Sequence, residues 1–202
     1  MANSKDVKKV VNEVIFKGPI VHKFTTDKVT ILTIATGRNN YPQVKFFDSL
    51  KDPADAFEVG EHVSIEGFIT SIKRTEYNKH WELQFITGTS FELSPDIMET
   101  AFNKSYSDKH VKPRENVFRV SGEVVRAGEP RGNVAHYLVK TSYGSFVYFI
   151  TVSQYLYNNS IRASVGDQIN TVGRVQTVKR YTDDGTKYYT NYVASSLDVV
   201  KE

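Results

Sequence analysis

Apolar and polar residues alternate with period two through most of the chain, in runs rich in β-branched and aromatic residues and broken by turn formers. Such alternation predicts half-buried β-strands. In the first half it predicts strands near 12–22, 27–36, 42–48, 61–76 and 80–88, with "TTDK" and "TGRNNYP" as turns between the early ones. In the second half it predicts strands near 116–126, 133–141, 145–152, 167–180 and 186–195. The "TDDGTK" before the last of these is a hairpin signal, because Asp-Gly readily takes positive φ. Between the third and fourth strands of each half the alternation stops. "DPADAF" there reads as Asp52 capping a short helix with Pro53 at its first position. "SQYLYNNSIRAS" reads as a helical turn or two.

The two halves repeat each other. "NEVIFKG" (Asn12 to Gly18) has its counterpart in "NVFRVSG" (Asn116 to Gly122), and "VGEHVSIEG" (Val59 to Gly67) in "VGDQINTVG" (Val165 to Gly173). Gly18 and Gly122 lie 104 residues apart, Gly67 and Gly173 106 apart. Each second phrase is followed at the same distance by Lys-Arg, as Lys73-Arg74 and Lys179-Arg180. The chain is therefore expected to hold two copies of one domain, over 1–93 and 116–202. Residues 94–115 are read as a short helix, "SPDIMETAF", and a polar linker. Five strands with a helix between the third and fourth is the order of an OB-fold, so the fold class is all-β, two tandem five-stranded Greek-key barrels. Gly18 and Gly122 are expected where the first strand bends sharply to serve both sheets.

Composition narrows the chemistry. The chain has 202 residues and no cysteine, which removes disulfides, thiolate metal cages and a thiol nucleophile. His22, His62, His80, His110 and His136 are dispersed without metal-ligand spacing, and no phosphate loop or nucleophile elbow occurs. Asp183 and Asp184 are explained by the tight turn before Gly185. The expectation is a non-enzymatic protein without cofactor or metal. No stretch approaches the roughly 20 apolar residues that span a bilayer, and the N-terminus lacks the apolar core of a signal peptide. This predicts a cytoplasmic protein with no membrane partner. The net charge of +3 is too small to select a polyanionic partner, so the distribution of charge has to do so.

"NVFRVSG…VGDQINTVGRVQTVKRYTDDGTKYYTNYVA" resembles the OB-fold of bacterial and phage single-stranded DNA-binding proteins. The shared pattern is an Asn opening the first strand, a Gly six residues on, paired glycines around the fourth strand, and a basic, aromatic hairpin. Copy two matches across nearly its whole length. Copy one matches through "NEVIFKG" and "VGEHVSIEG" but has "EYNKHWE" in place of the Asp-Gly hairpin. Two such domains in one chain depart from the family's usual single-domain subunit, which commonly forms tetramers, so a homo-oligomer stays open. The ending "SSLDVVKE" lacks the acidic tip that bacterial members use to recruit replication and repair proteins. These departures suggest a phage or mobile-element member, which would place the protein in the host cytoplasm.

Binding a single strand without sequence preference needs aromatic platforms for base faces and cations for the backbone. Copy one gathers Lys73, Arg74, Tyr77, Lys79 and Trp81 in its last hairpin. Copy two gathers Lys179, Arg180, Tyr181, Lys187, Tyr188 and Tyr189 in the corresponding place. On the third strands, Phe46 and Phe47 must point to opposite faces. One of the two is core, and Phe46 is taken as the binding candidate. Phe146 and Tyr148 share one face, opposite Val147, Phe149 and Thr151, with Phe149 expected in the core. Phe146 aligns with a stacking position of the family. Arg126 and Arg131 sit on the first loop of copy two, where they can meet phosphates. The expected function is sequence-independent coating of single-stranded DNA in replication, recombination or repair. RNA binding stays open, as does a protein-interaction or oligomerisation role in which the aromatics are interface anchors.

Overall fold

The computed structural model describes residues 11–37, 39–76, 79–94, 114–130, 132–141, 146–152, 162–182 and 185–200, with backbone alone for 73–76, 79–82, 178–182 and 185–188. Copy one contributes β1 (Asn12–Thr25), β2 (Thr30–Ile34), β3 (Gln43–Phe46), α1 (Lys51–Asp55), β4 (His62–Glu76) and β5 (Lys79–Leu93). Copy two contributes β6 (Glu115–Ala127), β7 (Val134–Lys140), β8 (Phe146–Val152), β9 (Gln168–Thr182) and β10 (Gly185–Val200). In copy one the pairing runs β1-β2-β3-β5-β4 and returns to β1; in copy two it runs β6-β7-β8-β10-β9 and returns to β6. β3 lies parallel to β5 and β8 parallel to β10, while every other pair is antiparallel. The molecule is two closed five-stranded OB barrels in tandem, as expected.

β5 and β10 run on to Leu93 and Val200, further than the alternation indicated, past a bulge in each. Pairing with β4 shifts at Glu66/Gly67, and pairing with β9 shifts at Ala194/Ser196. The bulge lets the strand re-aim and continue to the end of its partner. The helix of copy one begins earlier than its sequence signals suggested. A 3-10 turn over Asp48–Leu50 leads into it, Leu50 is the N-cap, and Asp52 and Pro53 both lie in the first turn. Pro53 fits there because the first N–H groups of a helix have no intrahelical partner. Lys23 ties α1 to β1, its Nζ donating to the carbonyls of Asp55 at 2.6 Å and Phe57 at 2.9 Å. A hydrogen bond from the Thr25 hydroxyl and the nearby Lys23 ammonium hold the Asp55 carboxyl below its ordinary pKa. The helix expected at "SPDIMETAF", most of "SQYLYNNSIRAS" and the Asp183-Asp184 turn lie outside the described residues.

Strand alternation fills each barrel. β1 turns Val14, Phe16, Gly18 and Ile20 inward, and β6 turns Phe118, Val120, Gly122 and Val124 inward. Each large side chain fully buried contributes about 1.5–3 kcal/mol. Gly18 and Gly122 stand where the first strand changes partner. β1 pairs with β4 as far as Pro19 and takes up β2 from Ile20, with a bulge just after. A Cβ on Gly18 would lie 2.3 Å from the Ala35 carbonyl oxygen, and one on Gly122 2.1 Å from that of Lys140. Neither position accepts a side chain.

The barrels join edge to edge. β1 pairs antiparallel with β6, from Asn12↔Val120 to Lys17↔Glu115, with Val14 opposite Phe118 at the middle. Val14 and Phe118 are equivalent positions of the repeat, so this junction is a pseudo-two-fold axis.

Candidate nucleic-acid interface

OB barrels take up nucleic acid on the outward face of their second and third strands, flanked by the loop after the first strand and the hairpin of the last two. In copy two that face is carried by β7 and β8. β8 buries Val147, Phe149 and Thr151 and turns Phe146, Tyr148, Ile150 and Val152 outward. Tyr148 is 36% exposed and stacks against His136 of β7 with ring centroids 5.7 Å apart. The Tyr148 hydroxyl and His136 Nδ1 share a hydrogen bond. Partial burial raises the Tyr148 phenol above its ordinary pKa, and the positive charge of Arg126 on β6 pulls it back. Arg126 is exposed at the end of the face.

In copy one the face falls to different residues. Phe46 is fully buried, its ring edge-on to Phe91 with centroids 5.3 Å apart, and it fills the space left by Gly88. It is a core residue and not a contact for a ligand, which corrects the expectation. Phe47 is the half-buried partner, meeting Phe85 of β5 at 6.3 Å, and Lys45 Nζ sits 4.5 Å above the Phe85 ring. Lys45 and Phe85 went unread in the sequence, and of the Phe46 and Phe47 pair it is Phe47 that stands on the outward face. The signal was there: a lysine between Val44 and Phe46 fixes the outward phase, which puts Phe47 beside it.

Past the barrels β4–β5 and β9–β10 continue as hairpins paired strand to strand. Their backbones place Lys73 opposite Glu82, Arg74 opposite Trp81, Glu76 opposite Lys79, Lys179 opposite Tyr188, Arg180 opposite Lys187 and Tyr181 opposite Thr186. The structure thus brings the two basic, aromatic groups together as ribbons, while their side chains, and Tyr77 and Arg131 altogether, lie outside the described residues. Tyr189, opposite Val178, is exposed.

Each hairpin root meets the other barrel. The Asn12 amide donates to the Ile69 carbonyl and accepts from its N–H, continuing the β1–β4 ladder with a side chain. Asn116 does the same on Val175, at 2.8 Å for both bonds, which accounts for an asparagine opening both first strands. Across the domains, the Phe146 N–H donates to Ser71 Oγ at 3.1 Å, and the Gln84 amide lies against the Tyr148 backbone, where the orientation that satisfies both of its ends has the nitrogen donating to the Tyr148 carbonyl at 3.2 Å and the oxygen accepting from the Tyr148 N–H. At the pseudo-equivalent place the Tyr41 N–H donates to Thr177 Oγ1. There Asn40 bridges Thr177 N–H and Val175 carbonyl, with bonds of 2.8 and 2.9 Å. These bridges join segments far apart in the chain, so no local pattern announces them.

Among the described residues no three His, Asp or Glu side chains gather as metal ligands, and no helix is long and apolar enough to cross a membrane. No family model and no curated protein sequence matches the chain. Solved structures do. The wild-type single-stranded DNA binding protein from Thermus aquaticus matches at 13% identity with a TM-score of 0.63, over 96% of this chain and 95% of its own. A deletion mutant of that protein matches at 12% identity, again with a TM-score of 0.63 and 96% of each chain. The likeness covers nearly the whole of this chain, both barrels included, and shows that the chain shares the fold of those structures.

Proposed function

We propose that the protein binds single-stranded DNA without sequence preference, coating it and keeping it unpaired. The observation that carries this reading is the outward face of each barrel, where half-exposed aromatics stand beside cations: Lys45, Phe47 and Phe85 in one, Arg126, His136, Phe146 and Tyr148 in the other. Base–aromatic stacking is worth about 1–3 kcal/mol per base and tolerates any sequence, because every base has a π-face. The hairpin residues Lys73, Arg74, Tyr77, Lys79, Trp81, Lys179, Arg180, Tyr181, Lys187 and Tyr189, with Arg131, would close over the backbone. The likeness to structures named for single-stranded DNA binding agrees with this. The role would be protective, in replication, recombination or repair in the cytoplasm, with no chemistry of its own.

The test is a titration of the intact protein with a thymidine homopolymer at two salt concentrations, followed by the fluorescence of Trp81, the single tryptophan. A duplex and an RNA of matched sequence serve as controls. Saturable binding of the single strand that weakens with salt supports the proposal. Equal or tighter binding of RNA moves the function to RNA, and no binding at low salt overturns it.

A further inference from the structure

The two places where a hairpin root meets the other barrel are related by the pseudo-two-fold axis but not by chemistry. At the first, β5 lies between two aromatic groups. Phe85 packs on the β3 side, under Lys45 and beside Phe47, and Gln84 reaches the β8 side, where Phe146 and Tyr148 begin the face that continues to His136. At the second, the registers of the repeat put Asn191 where Phe85 stands, Ile150 and Val152 where Lys45 and Phe47 stand, and Gln43 and Ile31 where Tyr148 and His136 stand. Tyr41, at the place of Phe146, is the aromatic residue that remains among these. Asn40, Thr36 and Asn116 fill the second seam with hydrogen bonds, Asn40 and Asn116 both donating to Thr36 Oγ1 and to the Val175 carbonyl.

Resting on the single-strand reading above, we infer that the two barrels share one continuous binding track, and that the strand passes between them across the β5–β8 seam and not across the β3–β9 seam. Stacking needs ring faces at successive steps, and the first seam supplies them on both sides of β5, while the second, which keeps Tyr41 and the exposed Tyr189, sets Ile150, Val152 and Asn191 where the first has Lys45, Phe47 and Phe85. Gln84 is the positioning residue of this crossing: its amide holds the β8 backbone at the place where the two aromatic groups approach. The barrels would then act as one long site with a defined path, not as two independent sites on a tether.

Labelled thymidine oligomers of increasing length, read by fluorescence anisotropy, test this on the full chain. For the wild-type protein, affinity should rise with length until both faces are filled. Phe85→Leu keeps apolar volume and removes the ring; it should reduce that length-dependent gain about tenfold, the order one lost stack is worth. Gln84→Ala should reduce the gain in the same direction, and stands in for Phe85→Leu if thermal melting shows that variant unfolded. Tyr41→Leu at the other seam should change it by less than roughly threefold. An equal or larger loss in Tyr41→Leu, or an unchanged length dependence in both seam variants of β5, overturns the continuous track. Failure of the wild-type protein to bind any oligomer would instead overturn single-strand binding itself.

Discussion

His62 opens β4 with its imidazole buried and, among the described residues, with neither ring nitrogen hydrogen-bonded. Burial, aided by the positive charge of Arg114, lowers its pKa from the ordinary 6.5. The unfolded chain therefore takes up a proton at a pH where the folded chain does not. The stability His62 confers is intact above its unfolded pKa and falls as pH drops through 6.5 towards the folded value. Denaturant midpoints should decline as pH drops through 6.5, and His62→Leu should flatten that decline. An identical decline in the variant would assign it elsewhere. Tyr192 poses a similar question. Its hydroxyl is buried with no hydrogen-bond partner among the described residues, burial pushes the phenol up, and its ring lies edge-on to Phe118. Tyr192→Phe keeps the ring and removes the orphaned group, so it should raise stability by about 1 kcal/mol in urea unfolding. Phe46 and Phe47 show what reads easily at this scale and what does not. Adjacent residues on a strand face opposite ways, so one of the pair had to be core. Which one depended on the phase of β3, a four-residue strand with a single lysine to mark it.

Among the elements, β1 and β6 carry the most constraint, each serving three partners. Gly122→Ala should cost about 3 kcal/mol or more, because the added carbon meets a backbone carbonyl that cannot move without opening β7. Asn116→Ala should cost about 1–3 kcal/mol and more than Asn12→Ala, because Asn116 also donates to Thr36 of the other barrel. Equal losses would mean that the cross-barrel bond adds nothing; chemical denaturation of the three variants decides both points. Period-two alternation found every strand among the described residues, since it follows from burial on one face. The extensions of β5 and β10 escaped it because a bulge breaks the period. The asparagines were visible as shared letters of the repeat, but their bonds join β1 to β4 and β6 to β9, beyond any local reading. The cores show why similar letters need not mean similar packing: Phe46 beside Gly88 in one barrel becomes Thr151 beside Ala194 in the other. Bulk removed from one strand is partly restored on its neighbour.

For the whole molecule, the repeat in the sequence indicated two barrels and the strand order indicated their topology. Their junction was not legible, because edge pairing depends on which strand is left free once each barrel has closed. Ion pairs then distinguish the edges. Lys17 pairs with Glu115, and Glu13 with Arg119, both at 2.8 Å and across the β1–β6 register. The symmetry-related positions hold Ser121 with Val11, and Val117 with Ile15. Pairing β1 with another β1 would set Glu13 against Ile15 and Lys17 against Val11. Half-exposed pairs contribute about 0.2–1 kcal/mol each, enough to favour one unlike edge over a like one. If the proposed track is used, log affinity for the single strand should fall against log salt with a slope of about −0.7 per phosphate met. A slope for the intact chain no steeper than that of a variant lacking the hairpin cations Lys73, Arg74, Lys179 and Arg180 would remove those cations from the interface.

The pairing of β1 with β6 also changes how the protein responds to dilution. A pair of separate OB subunits joined at such an edge comes apart when its concentration falls below the dissociation constant. Here both edges belong to one chain, so the association is intramolecular and independent of the chain's concentration. The two faces therefore stay assembled however dilute the protein is, and a change in its amount alters the number of paired barrels without altering the fraction that are paired.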